Sequence, residues 1–212
     1  MKKYLISILA FISFSISLYF SLINSPPEEK MGELIRILYI HVPFAWYSFV
    51  SFTITFICSI LYFLKREDRF DKLGASGAEI GFIFITIAIL TGSLWAKSVW
   101  GVFWVWEPRL TTTLILWFLY LSYLLLRKFI EIPDKRARIS GVLGIIFYVD
   151  IPIIYFSVYL WRSVHPLIFK LGKIGIETPM QIALFSNLVS FLFLFLLIFD
   201  LRYKIYLKEK IL

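Results

Sequence analysis

His41 and His165 are the only imidazoles in this chain of 212 residues. Each precedes a proline within two positions, as His41-Val42-Pro43 and His165-Pro166, which restricts the backbone beside the ring. Neutral imidazoles ligate iron, copper and zinc, so the pair raises metal chemistry. A lone histidine at a membrane surface is more often a polar filler, and both readings stay open. The pair is harder to dismiss beside a second feature. The stretch Trp95–Thr113, WAKSVWGVFWVWEPRLTTT, packs four of the seven tryptophans into the twelve positions from Trp95 to Trp106. Amphipathic rings collect in belts at membrane interfaces. Belts, however, scatter over several helix ends, whereas this cluster sits in one stretch with Lys97, Glu107 and Arg109.

Several chemistries are excluded. The single cysteine, Cys58, forms no internal disulfide, no C-x-x-C pair and no C-x-x-C-H attachment site. No G-x-x-x-x-G-K-[ST] phosphate loop occurs. Nothing pairs a nucleophile with a base, so no ordinary enzyme is expected. A zinc site wants three or four protein ligands, and a third histidine is missing. Haem iron needs only one or two axial ligands, because the porphyrin supplies four. Haem also wants a flat apolar surface, which Trp and Phe provide. Its propionates want cations such as Arg36, Lys97, Arg109 and Arg162. The residue set therefore fits haem better than a bare metal ion.

The elements that must position these residues are membrane spans. The chain is 60% hydrophobic with mean hydropathy +0.83. A helix needs about 20 mainly apolar residues to cross a bilayer core. Six runs qualify, near Tyr4–Ile23, Pro43–Leu64, Ala75–Leu94, Leu110–Leu126, Ile139–Leu160 and Pro179–Phe199. They predict an all-α integral membrane protein, one domain over residues 1–212, with no room for a soluble domain. Met1–Ile23 is too long for a signal-peptide core and lacks a cleavage site, so it reads as a retained first helix. The net charge of +8 does not point to nucleic acid. With the N-terminus cytoplasmic, the inner segments hold 15 Lys and Arg and the outer segments 7. That asymmetry places both termini in the cytoplasm. His41, His165 and the tryptophan-rich segment between the third and fourth helices then share the outer side.

Finer expectations follow along the chain. The serines of the first helix can bond across helices or back to their own backbone. Met31, Leu34, Ile35, Leu38 and Tyr39 form one apolar stripe at helical spacing, predicting a short interfacial helix that ends near His41. Gly77 and Gly81 form a GxxxG pair for close helix approach. Glu79 either faces a neighbouring helix or reaches the headgroups. Asp150 lies at bilayer depth beside Pro152, either as a functional ionisable group or as a protonated or tyrosine-paired cap on loosened backbone. Thr178-Pro179 starts the sixth span.

The run Trp100-Gly101-Val102-Phe103-Trp104-Val105-Trp106-Glu107-Pro108-Arg109-Leu110-Thr111 resembles the WGxxWxWD signature of the haem-handling protein superfamily. Within it, nearly the whole chain resembles the haem exporter protein C (CcmC) family of bacterial cytochrome c maturation system I. The likeness includes Tyr39-Ile40-His41-Val42-Pro43 and the segment from Ser157-Val158 to Trp161 and His165. The resemblance implies haem b as transient cargo at the periplasmic face of the inner membrane. His41 and His165 would be its axial ligands, with Trp95, Trp100, Phe103, Trp104, Trp106, Glu107 and Arg109 around the macrocycle. The implied partners are a periplasmic haem chaperone, an ATP-binding cassette ATPase, a second membrane subunit and a small single-span protein, all in or at the lipid bilayer. Here Glu107-Pro108 replaces the usual Asp. Two other readings are a permease subunit of an ATP-binding cassette transporter, resting on Asp150 and Asn187, and a structural assembly subunit.

Overall fold

The computed structural model describes residues 2–29, 31–161, 165, 169–170 and 173–208, with positions 2, 3, 169, 170, 173 and 174 described by backbone alone. The helices are α1 (Lys2–Tyr19), α2 (Ile35–Lys65), α3 (Asp68–Trp100), α4 (Pro108–Phe129), α5 (Pro133–Phe147), α6 (Asp150–Leu160) and α7 (Thr178–Lys208). A two-residue antiparallel pairing joins β1 (Phe169–Lys170) to β2 (Lys173–Ile174). Six stretches are long and apolar enough to cross a membrane: Tyr4–Asn24, Ile35–Lys65, Asp68–Trp100, Pro108–Phe129, Pro133–Leu160 and Thr178–Lys208. Each contains the apolar run expected from the sequence. The protein is an all-α, multi-pass membrane protein.

The helices outrun their apolar cores. At 1.5 Å per residue, α3 is about 50 Å long, against a hydrocarbon core of about 30 Å. Backbone hydrogen bonding does not stop where side chains become polar. Asp68 and Asp71 occupy the first turn of α3, and Lys65 and Lys208 the last turns of α2 and α7, each matched to the helix dipole.

The outer segment before α2 departs from expectation. Among the described residues there, no separate interfacial helix forms. Glu28 and Gly32 exchange backbone hydrogen bonds of 3.1 and 2.7 Å in a tight turn, with Gly32 at φ +57°. The stripe residues Ile35, Leu38 and Tyr39 lie on the opening turns of α2, which runs straight through Pro43. Proline removes a single hydrogen bond, the one to the Tyr39 carbonyl, and a packed membrane helix tolerates that loss.

The fifth span is two helices. Pro152 cannot donate to the Tyr148 carbonyl, and Ile151 N–H donates there instead at 3.1 Å, while Val149 N–H donates to Ile146 at 3.2 Å. These short-range bonds tighten the chain at Tyr148–Val149, and α6 starts afresh at Asp150.

The chain forms two compact units. The first comprises Met1–Trp46, Ile87–Val105 and Val164–Leu197; the second comprises Tyr47–Thr86, Trp106–Ser163 and Ile198–Leu212. In the first, Asn187 Nδ2 donates to Ser21 Oγ at 2.6 Å, and Phe44 meets Phe191 edge to face. Ser13, Ser15 and Ser17 bond back to carbonyls of their own helix. In the second, Phe52 stacks on Tyr120 at 3.6 Å between ring centres. Gly81 permits that stack, since a Cβ there would lie 2.4 Å from the Phe52 ring. Glu79 faces α7, where it pairs with Arg202 and Tyr206. Arg127 grips Asp71 with two hydrogen bonds of 2.5 and 2.9 Å, both groups largely buried.

Candidate functional site

His41 sits two turns into α2, in the first compact unit. Its imidazole lies against the C-terminal part of α3. Nδ1 is 2.9 Å from the Ala88 carbonyl oxygen and 3.2 Å from Thr91 Oγ1. The stretch just ahead of His41 is tied down. Buried Tyr39 shares a 2.5 Å hydrogen bond with Ser25, and Arg36 pairs with Glu33 at 2.6 Å.

The tryptophan-rich segment begins as helix, because α3 continues to Trp100. Trp95 is 8% exposed and meets Trp100 edge to face, 5.2 Å between ring centres. The Trp95 indole N–H is buried without a hydrogen-bond partner among the described residues. Gly101 ends α3 in the left-handed region, φ +77°, with its N–H bonded to the Lys97 carbonyl. The Lys97 ammonium donates to the Gly101 carbonyl at 2.9 Å and lies over the Phe103 ring. That cation thus closes the helix end and steadies the next aromatic at once. Phe103 is exposed and Trp104 half-buried.

Trp106, Glu107 and Arg109 belong to the second unit. Trp106 is 76% exposed. Glu107 is buried and is the N-cap of α4, its carboxylate accepting from the Leu110 N–H at 2.9 Å. Pro108 follows at the first helical position, where no N–H is needed. The Glu-Pro pair is therefore a sound helix start, and the longer side chain still reaches the amide that needs it. Arg109 is half-buried in the first turn.

His165 is half-buried and falls in the same compact unit as His41, Arg36, Trp95, Lys97, Trp100, Phe103 and Trp104. Arg162 lies outside the described residues. Among the described residues, no three His, Cys, Asp or Glu side chains converge as a metal-ion site.

Asp150 stands apart, buried at the start of α6, with Oδ2 lacking a hydrogen-bond partner among the described residues. Tyr148 is not the partner that the tyrosine-paired alternative would need, since its hydroxyl meets Thr53 at 3.2 Å and its ring stacks on Phe56.

Sequence reasoning missed Ala88, Thr91 and Gly92, the part of α3 that meets His41. Their one detectable signal was a run of small residues at i, i+3 and i+4 within a stretch rich in Ile and Leu.

Comparison with known proteins covers almost all of this chain. The family model for heme exporter protein C matches residues 2–211. The heme exporter protein C of Haemophilus influenzae is 32% identical over 208 residues, 97% of this chain and 85% of that protein. The heme exporter protein C of Bradyrhizobium diazoefficiens is 33% identical over 186 residues, 87% of this chain and 70% of that protein. A mitochondrial protein of Marchantia polymorpha, described as ccmC-like and linked to cytochrome c biosynthesis, is 35% identical over 181 residues, 85% of this chain and 77% of its own length. This chain belongs to the heme exporter protein C family.

Proposed function

We propose that this protein binds haem b as transient cargo at the periplasmic face of a bacterial inner membrane and delivers it to a periplasmic haem chaperone during c-type cytochrome maturation. His41 and His165 are the axial ligands in this reading. Trp95, Trp100, Phe103 and Trp104 offer the flat apolar surface, and Arg36 and Lys97 are cations for the propionates. For Trp106, Glu107, Arg109 and Arg162 a share in haem binding rests on the resemblance alone. An ATP-binding cassette ATPase, a second membrane subunit and a small single-span protein are the proposed partners.

The observation that carries the reading is the setting of His41. A carbonyl and a hydroxyl engage its Nδ1, which calls for the proton on that nitrogen and the lone pair on Nε2. Trp95 adds a buried indole donor suited to a carboxylate oxygen. Haem, when bound, supplies the iron; the chain supplies ligands, an apolar surface and cations.

Titrating the purified protein with haemin tests this. A low-spin two-histidine spectrum is expected, converted to a high-spin one by His41→Ala or His165→Ala and lost in the double variant. Unchanged haem binding in the double variant sinks the ligand assignment.

One observation favours a second reading, a transporter permease subunit. The fifth span is broken, with the Asp150 carboxyl buried at the break, and broken helices mark substrate paths in transporters. On that reading Asp150→Asn abolishes haem delivery while the haemin spectrum stays as in the unaltered protein. Normal delivery by Asp150→Asn removes the reading.

A further inference from the structure

We propose that α3 is the positioning element for His41: Thr91 and the Ala88 carbonyl fix the ring through Nδ1, and Gly92 leaves the space in which it sits. The inference deepens the reading of His41 as a haem ligand and rests on it. Ala88, Thr91, Gly92 and Trp95 recur at i, i+3, i+4 and i+7, so they lie along one stripe of α3. The Ala88 carbonyl has no proton to give. The Thr91 hydroxyl directs its own hydrogen to the Ile87 carbonyl at 2.8 Å, so its oxygen receives from the ring. Both partners call for a proton on Nδ1 and a lone pair on Nε2. Histidines that bind metals depend on such an arrangement, because the second-nitrogen hydrogen bond sets tautomer, ring orientation and donor strength together.

Gly92 completes the seat. An ideal Cβ there would fall 2.9 Å from His41 Cε1 and 3.3 Å from Nδ1. The nearest atoms belong to the imidazole, so the ring is what an added methyl group displaces. Helix stability does not explain the glycine. Alanine is the better helix former by about 1 kcal/mol. The glycine's value at position 92 is the volume it leaves to the imidazole.

The chain has two histidines, so ¹⁵N-histidine labelling reads the seat directly. In haem-free protein in lipid vesicles, with His165→Ala leaving one labelled ring, solid-state NMR is expected to show a protonated Nδ1 and a bare Nε2. A proton on Nε2 instead overturns the proposal. Gly92→Ala is expected to abolish the single tautomer, and Thr91→Val to weaken it where Thr91→Ser preserves it. With both histidines present and haemin added, Gly92→Ala should turn the two-histidine spectrum into a one-histidine spectrum that added imidazole restores. Haem retention should fall roughly tenfold to a hundredfold. If Gly92→Ala leaves tautomer, spectrum and retention unchanged while His41→Ala alters the last two, the proposal fails. If the unaltered protein takes up no haemin yet shows the Nδ1–H tautomer, lost in Gly92→Ala, the seat stands and the haem reading falls.

Discussion

Glu107 accepts the Leu110 amide and so starts α4, a helix-capping role that the sequence did not disclose for it. An acidic residue after the last tryptophan of the motif invites a reading as a ligand-binding group. Its burial and its bond to the Leu110 amide give it a structural part in starting the helix. Glu107→Ala should destabilise the protein by about 1 kcal/mol, the usual cost of a lost cap, while Glu107→Asp retains most of that stability. Thermal unfolding in detergent measures both. His41 teaches the complementary lesson. Its candidacy was legible from its rarity and from the tryptophans, but its partners lie 47 and 50 positions away on another helix. No local spacing rule connects such residues, so only the packed structure reveals which ring nitrogen is held.

The six spans were legible because about 20 apolar residues in a row leave few alternatives in water. Their ends were not. Proline at position 43 suggested a boundary, yet α2 runs through it, since one missing hydrogen bond costs less than ending a packed helix. Proline at position 152 does divide its span, where the Tyr148 carbonyl loses its usual donor. The amides of Val149 and Ile151 should therefore exchange with deuterium faster than that of Ile145, and Pro152→Ala should slow them. Equal protection before and after that change would contradict the origin assigned to the break. The N-terminal part of α3 is fastened differently. Asp71 meets the two-pronged Arg127, and both are largely buried. Asp71→Ala leaves a buried guanidinium without its counter-charge and should destabilise the protein by about 3 kcal/mol or more. Loss of that size should appear in a denaturant or thermal melt of the purified protein. The exposed pair between Arg138 and Asp134 should contribute a few tenths of that.

At the scale of the whole molecule, the sequence predicts an orientation through its Lys and Arg distribution. That orientation places Val102 outside and Lys135 inside. Cys58 is buried, so a Cys58→Ser background carries no competing thiol. In intact bacterial cells with a permeabilised outer membrane, an impermeant maleimide should label Val102→Cys but not Lys135→Cys. Opening the inner membrane should make both reactive. The reverse pattern would move the proposed haem-binding face to the cytoplasm and end the periplasmic delivery reading.

Arg127 acts at two stages in the life of this chain. On the orientation predicted from the sequence, its guanidinium is one of the cations that keep that end from being translocated. In the folded protein Asp71 holds it, and both side chains are largely buried. The fringe of positive charge that steers insertion is therefore broader than the one the mature protein presents to its lipids.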